Sequence, residues 1–103
     1  MQTHPKKRLE LIIEAPALNR LLDILDKQEV SGYTVMPVLA GRGRQGRWSR
    51  DGLVGMAGQM LMVVCVTSDH RVPALLEAVS KFLARQIGIV AISDVEVIRT
   101  EHF

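Results

Sequence analysis

Hydrophobic and polar positions along the chain follow two periods, and their alternation sets out an order of elements. In residues 8–13, Leu9, Leu11 and Ile13 recur every second position, which predicts a strand with those three on its core face. Leu18, Leu21, Leu22 and Leu25 then fall at i, i+3, i+4 and i+7 behind Pro16, a residue suited to a first helical turn. This spacing predicts an amphipathic helix of about three turns that ends before Ser31 and Gly32, with Asn19, Arg20, Asp23 and Lys27 on its solvated face. Residues 33–40 return to extended spacing, and Pro37 assigns them to a sheet edge or a bulge, because proline cannot donate to a ladder.

Residues 59–67 are the most apolar segment and read as a central strand. Ser68 and Asp69 supply candidate caps for a second amphipathic helix. Its stripe runs through Val72, Leu75, Leu76, Val79, Phe82 and Leu83 and ends near Gly88. Residues 89–92 and 95–98 form one strand, or two short ones broken at Ser93 and Asp94. The resulting β-α-β-β-α-β order predicts an α+β, ferredoxin-like sandwich, an antiparallel sheet with both helices on one face. Such a sheet leaves its other face without helical cover. The strands carry Val, Ile, Leu and Met on both parities, so that face is expected to meet further copies of the chain.

One interval departs from both periods. Residues 41–58 hold six glycines and no sustained helical stripe, and are expected to form a long flexible loop within a single domain spanning 1–103. Its first part, Gly41 to Arg50, carries Arg42, Arg44, Arg47 and Arg50 among Gly41, Gly43 and Gly46, a combination suited to an anion: glycine admits close backbone approach and guanidinium pairs with phosphate or carboxylate. Gly41, Gly43 and Gly46 match G-x-G-x-x-G in spacing. No helix opens behind them, however, so a dinucleotide-binding Rossmann unit is excluded, and no G-K-[ST] follows for a Walker A loop. Three readings stay open on these residues: a phosphate cradle, a nucleic-acid contact using the arginines with Trp48, and a solvated loop.

Composition narrows the field further. A net charge of +2 on 103 residues does not describe a general nucleic-acid coat. Cys65, the single cysteine, lies in an apolar run and reads as a buried small hydrophobe. His4, His70 and His102 lack metal-ligand spacing, so no metal site is expected. Glu10 and Glu14 interrupt the apolar stretch that a signal peptide would need behind Lys6, Lys7 and Arg8. The longest apolar tract is too short and too glycine-rich for a membrane span, which makes the cytoplasm the expected compartment. No catalytic constellation is present, and a weak nucleotide hydrolase ranks last among the functions considered.

Ser31-Gly32-Tyr33-Thr34-Val35, followed by Gly41-Arg42-Gly43-Arg44-Gln45-Gly46, resembles the signature of PII signal-transduction proteins, and the closing Val97-Ile98-Arg99-Thr100 extends the resemblance over nearly the whole chain. It implies a compact, non-enzymatic homotrimer that binds adenine nucleotide in clefts between subunits and uses the long loop to contact a partner. Carried onto this sequence, Gly32, Thr34 and Val35 would lie beside the nucleotide. Gly41, Arg42, Gly43, Arg44 and Gln45 would form the loop base near the phosphates. Gly88 would belong to the loop after the second helix, and Arg99, opening the short tail 99–103, would reach phosphate from the neighbouring subunit. Gly46, Arg47, Trp48 and Arg50 would serve anion or partner contact.

The family's G-D-G-K after the second helix is absent, as are the lysine and the modified tyrosine of its long loop. The missing lysines favour ADP or AMP over Mg-ATP with 2-oxoglutarate. The short arginine-rich loop and Ser93-Asp94-Val95-Glu96-Val97-Ile98-Arg99 are similar to the PII-like branch linked to inorganic-carbon uptake and carboxysomes. That branch implies bicarbonate as a further ligand and a transporter or carboxysome component as protein partner. A small nucleic-acid-binding module is the alternative.

Overall fold

A computed structural model describes residues 1–43, 46–49 and 58–99. The strands are β1 (His4–Glu14), β2 (Tyr33–Val38), β3 (Ala40–Gly43), β4 (Gly46–Ser49), β5 (Met60–Thr67) and β6 (Gly88–Val97). Helix α1 (Leu18–Lys27) follows a 3-10 turn at Ala15–Ala17, and α2 (Val72–Leu83) follows one at Asp69–Arg71. Strands β2, β5, β1 and β6 form one antiparallel sheet in that order, the ferredoxin-like arrangement, while β3 and β4 form a separate hairpin.

Alternation in β1 places Leu9, Leu11 and Ile13 fully inside, in register with Cys65, Val63 and Leu61 of β5. Leu21 and Leu25 of α1 and Leu75 and Val79 of α2 close over them, with no exposed surface on any of the four. The predicted stripes are therefore the packed ones, and both helices lie on one face of the sheet. Pro37 sits in β2, an edge strand, where its missing N–H costs no ladder bond.

Several boundaries differ from the expectation. β1 begins at His4 rather than Arg8, because pairing with β6 from His4↔Val97 onward satisfies the backbone of a charged stretch that shows no alternation. β6 is continuous through Ser93 and Asp94, held opposite Arg8 and Lys7. Pro16 lies in the 3-10 turn and not in α1, and the Ala15 N–H donates to the Gln59 carbonyl at 2.8 Å, tying the end of β1 to the approach of β5. α1 ends through Glu29, which adopts φ 59°, and the Val30 N–H donates back to the Leu25 carbonyl at 3.1 Å. Ser68 makes no side-chain cap; its hydroxyl takes a bond from Lys6 Nζ at 3.0 Å.

The largest correction concerns the expected loop at 41–58. Residues 40–43 and 46–49 are a β-hairpin with the register Ala40↔Ser49, Gly41↔Trp48, Arg42↔Arg47 and Gly43↔Gly46. Glycine there does not oppose extended structure: it leaves the room that Trp48 occupies, and Gly46 takes φ 99° where the chain reverses. Residues 50–57, the rest of that expected loop, lie outside the described residues, as do Arg44, Gln45, Arg50 and 100–103 of the tail.

Candidate functional site

The hairpin has two unlike faces. Strand alternation puts Gly41, Gly43, Gly46 and Trp48 on one side and Arg42 opposite Arg47 on the other. Both arginines are exposed, and neither forms an ion pair with a described residue. Like charges directly opposite each other repel, so this pair is an electropositive spot that an anion would relieve. Trp48 is half-buried. A Cβ built on Gly41 would stand 2.6 Å from its Cζ2, so the indole lies directly on the glycine.

The glycine face borders a pocket of about 370 Å³, closed on its other sides by Glu14, Met60 and Ile87. Its described wall is largely apolar and contains no cation. These three side chains were not anticipated from the sequence. Ile87 gave the one usable signal, an apolar residue between a helix and a strand, and it is 64% exposed.

Gly88 joins this end of the molecule. It opens β6 opposite Ile13, and a Cβ there would lie 2.7 Å from the Ile12 carbonyl oxygen and 3.1 Å from Leu83 Cδ2. Packing alone therefore requires glycine at 88.

The remaining candidates lie at the other end of the sheet. Gly32 and Thr34 border a second pocket, about 420 Å³, with Tyr33, Val64 and Val66. Thr34 is exposed on the face opposite the helices, in register with Val64. Val35 points the other way and packs against the core. Its side chain is partly buried there, and its backbone lies on the edge strand. Arg99 is exposed just beyond β6. β6 holds Gly88 and Val97 roughly 30 Å apart at about 3.3 Å per residue, and Arg99 follows Val97 by two residues. One chain thus groups Gly41, Arg42, Gly43, Gly46, Arg47, Trp48 and Gly88 at one end, and Gly32, Thr34 and Arg99 at the other.

Along β1 one cluster of charges is internally matched. A groove of about 600 Å³ runs between Lys6, Lys7, Asp69, Asp94 and Glu96. Although it is larger than either other pocket, Lys7 bonds Asp94 and lies 3.8 Å from Asp69, so its charges already serve one another. The hydrogen bond from Lys7 to Asp94, and then their opposite charges, raise the Lys7 pKa above its ordinary value. Among the described residues, no group of three or more His, Cys, Asp or Glu side chains could hold a metal, and no helix is long and apolar enough to cross a membrane.

This geometry was compared with known proteins. The family model described as nitrogen regulatory protein P-II matches residues 6–102. The chain belongs to the P-II family. Among solved structures, it is similar to CPII, a nitrogen regulatory PII-like protein from Thiomonas intermedia K12, bound to ADP, AMP and bicarbonate. That match has 28% identity over 99% of this chain and 96% of the other, with a TM-score of 0.90. CPII bound to ADP and bicarbonate matches at 30% identity over 99% and 97% of the chains, with a TM-score of 0.85. A PII-like signalling protein from Thermus thermophilus shares the fold at 22% identity over 100% and 99% of the chains, with a TM-score of 0.82. No curated protein sequence matches the chain significantly.

For a P-II chain the two-ended grouping has a direct consequence. Residues so far apart within one protomer serve one small ligand only when two protomers meet.

Proposed function

We propose that this P-II protein is a non-enzymatic regulatory sensor that binds an adenine nucleotide, ADP or AMP in preference to Mg-ATP, in clefts between the subunits of a homotrimer. The observation that carries the reading is the separation of the candidate residues into two groups at opposite ends of the sheet. In a cyclic assembly, the hairpin and Gly88 end of one protomer faces the Gly32, Thr34 and Arg99 end of the next. The Thiomonas CPII structures, bound to ADP, AMP and bicarbonate, support the ligand class. An apolar row on the sheet face without helices, Met36, Met62, Ile12 and Ile89 across all four strands, supports burial against other copies.

Bicarbonate is the second ligand in this reading, and the exposed Arg42 and Arg47 guanidinium groups, which have no ion-pair partner among the described residues, suit a small anion. Nucleotide occupancy biases the hairpin toward one arrangement, and so changes affinity for a protein partner by population shift. That partner is a transporter or carboxysome component, or an element of nitrogen control, and the protein acts in the cytoplasm. Calorimetry with AMP, ADP, ATP, 2-oxoglutarate and bicarbonate tests the ligand assignment. Saturable binding of ADP or AMP, tighter than ATP and without a 2-oxoglutarate requirement, is expected. Absence of any adenine-nucleotide binding overturns it.

A further inference from the structure

Trp48 is the one aromatic side chain on the glycine face of the hairpin, and its position is set by what stands across from it. Gly41 has an ordinary backbone conformation, with no positive φ, so glycine there answers a demand for volume. Three ring atoms of Trp48, Cζ2, Cε2 and Cη2, lie 2.6, 3.0 and 3.2 Å from where a Cβ would be. The next cross-strand pair on this face, Gly43 and Gly46, has no side chain, and a Cβ on either would meet nothing within 4 Å. Among the described residues, the face is therefore bare beyond the indole. The indole becomes a wall of the pocket that Ile87, Met60 and Glu14 complete. That volume, about 370 Å³, lies at the low end of the range for small-ligand sites.

We propose that Trp48 is a positioning residue of this loop-base site, contacting the uncharged sugar or base of a bound adenine nucleotide and holding the hairpin against Gly41 while it does so. This rests on the nucleotide reading above and adds a role for a residue that the arginine-rich segment had marked only for anion or partner contact. The described wall of the pocket has no cation to offer a phosphate, and its one carboxylate repels it. An apolar aromatic wall suits the uncharged part of the ligand and leaves its charged part to groups outside this wall.

Trp48 is the only tryptophan in the chain, so its emission reads out this pocket alone. The test titrates the full-length protein with ADP, following calorimetry for wild type, Trp48→Ala, Trp48→Phe and Gly41→Ala, and tryptophan fluorescence for wild type and Gly41→Ala, which keep the indole. ADP is expected to change the emission of the wild type. Trp48→Ala is expected to weaken ADP roughly three- to tenfold, the range of an aromatic contact, with Trp48→Phe restoring most of it. Gly41→Ala keeps the indole but displaces it, so its emission shifts before ligand is added and ADP binds more weakly. Circular dichroism of all three variants is expected to match wild type, since the hairpin lies outside the four-stranded sheet. Calorimetric binding of ADP with unchanged wild-type emission and unchanged affinity in Trp48→Ala overturns the assignment and leaves the nucleotide reading standing. Calorimetric silence in the wild type overturns both.

Discussion

At the residue scale, the glycines of this chain are present for different reasons, and substitution separates them. Gly88 is enclosed by the Ile12 carbonyl oxygen, Leu83 and Ile13, with the backbone oxygen nearest. Backbone cannot swing aside as a side chain can, so Gly88→Ala is expected to cost about 1–3 kcal/mol in urea unfolding. Gly43→Ala meets nothing within 4 Å and is expected to stay within about 0.5 kcal/mol of wild type. The sequence pattern placed both in one nucleotide-binding class, because a glycine required by packing and one free to approach a ligand are the same letter. Which it is depends on what the fold brings against it, here a carbonyl from the first strand of the chain.

Cys65 was legible as buried, and its surroundings push the thiol pKa up by desolvation. The unfolded thiol releases its proton above about pH 8.5, while the folded one retains it. Unfolding thus gains from proton release as pH rises past that value, and Cys65 lowers stability on the alkaline side only. Denaturant midpoints at about pH 7 and about pH 9.5 are expected to differ more in wild type than in Cys65→Ala.

At the element scale, the strands and helices that carry alternating or i, i+3, i+4 stripes were legible because burial enforces the stripe. Leu9, Leu11 and Ile13 on β1, and Leu75 and Val79 on α2, are those cases. What was not legible was set by backbone pairing without a burial pattern. The first turn of β1 is charged and half-buried or exposed, yet it pairs with the end of β6 residue for residue. The β3–β4 hairpin is glycine and arginine almost throughout. Among the described residues its specifying contact is Trp48 on Gly41, an aromatic ring on a residue without a side chain, and that leaves no apolar stripe to read.

The end of α1 makes the same point. Ser31 and Gly32 looked like the stop, but the left-handed residue is Glu29. A non-glycine residue there carries strain, offset in part by the Arg71 to Glu29 ion pair at 3.1 Å, whose carboxylate is largely exposed. Glu29→Gly is expected to raise stability by up to about 1 kcal/mol in thermal or urea unfolding, because the relieved strain exceeds the weak exposed pair.

At the scale of the whole molecule, the described structure is a two-layer sandwich with one sheet face left open. Met62 stands near the centre of that face, beside Met36 on β2 and Ile12 on β1. In the proposed assembly the open face and the two-ended distribution of candidate residues have the same explanation: the protomer would be one part of a ring whose next copy completes the ligand site. The resemblance carried in the sequence pointed to shared clefts. The physical reason became visible only with the register of β6, which holds Gly88 and Val97, two residues before Arg99, a full strand apart.

A charge introduced at Met62 would be buried without a partner in the assembly and solvated in the free protomer, so Met62→Glu is expected to give a folded monomer. The most direct test of the central claim is therefore ADP calorimetry on wild type and Met62→Glu side by side, with sedimentation to fix the state of each. The expected result is a wild-type trimer that binds ADP saturably, up to one per chain, and a folded Met62→Glu monomer with ADP affinity reduced at least tenfold. A wild type that sediments as a monomer, or a monomeric variant that binds ADP as tightly as wild type, would contradict it.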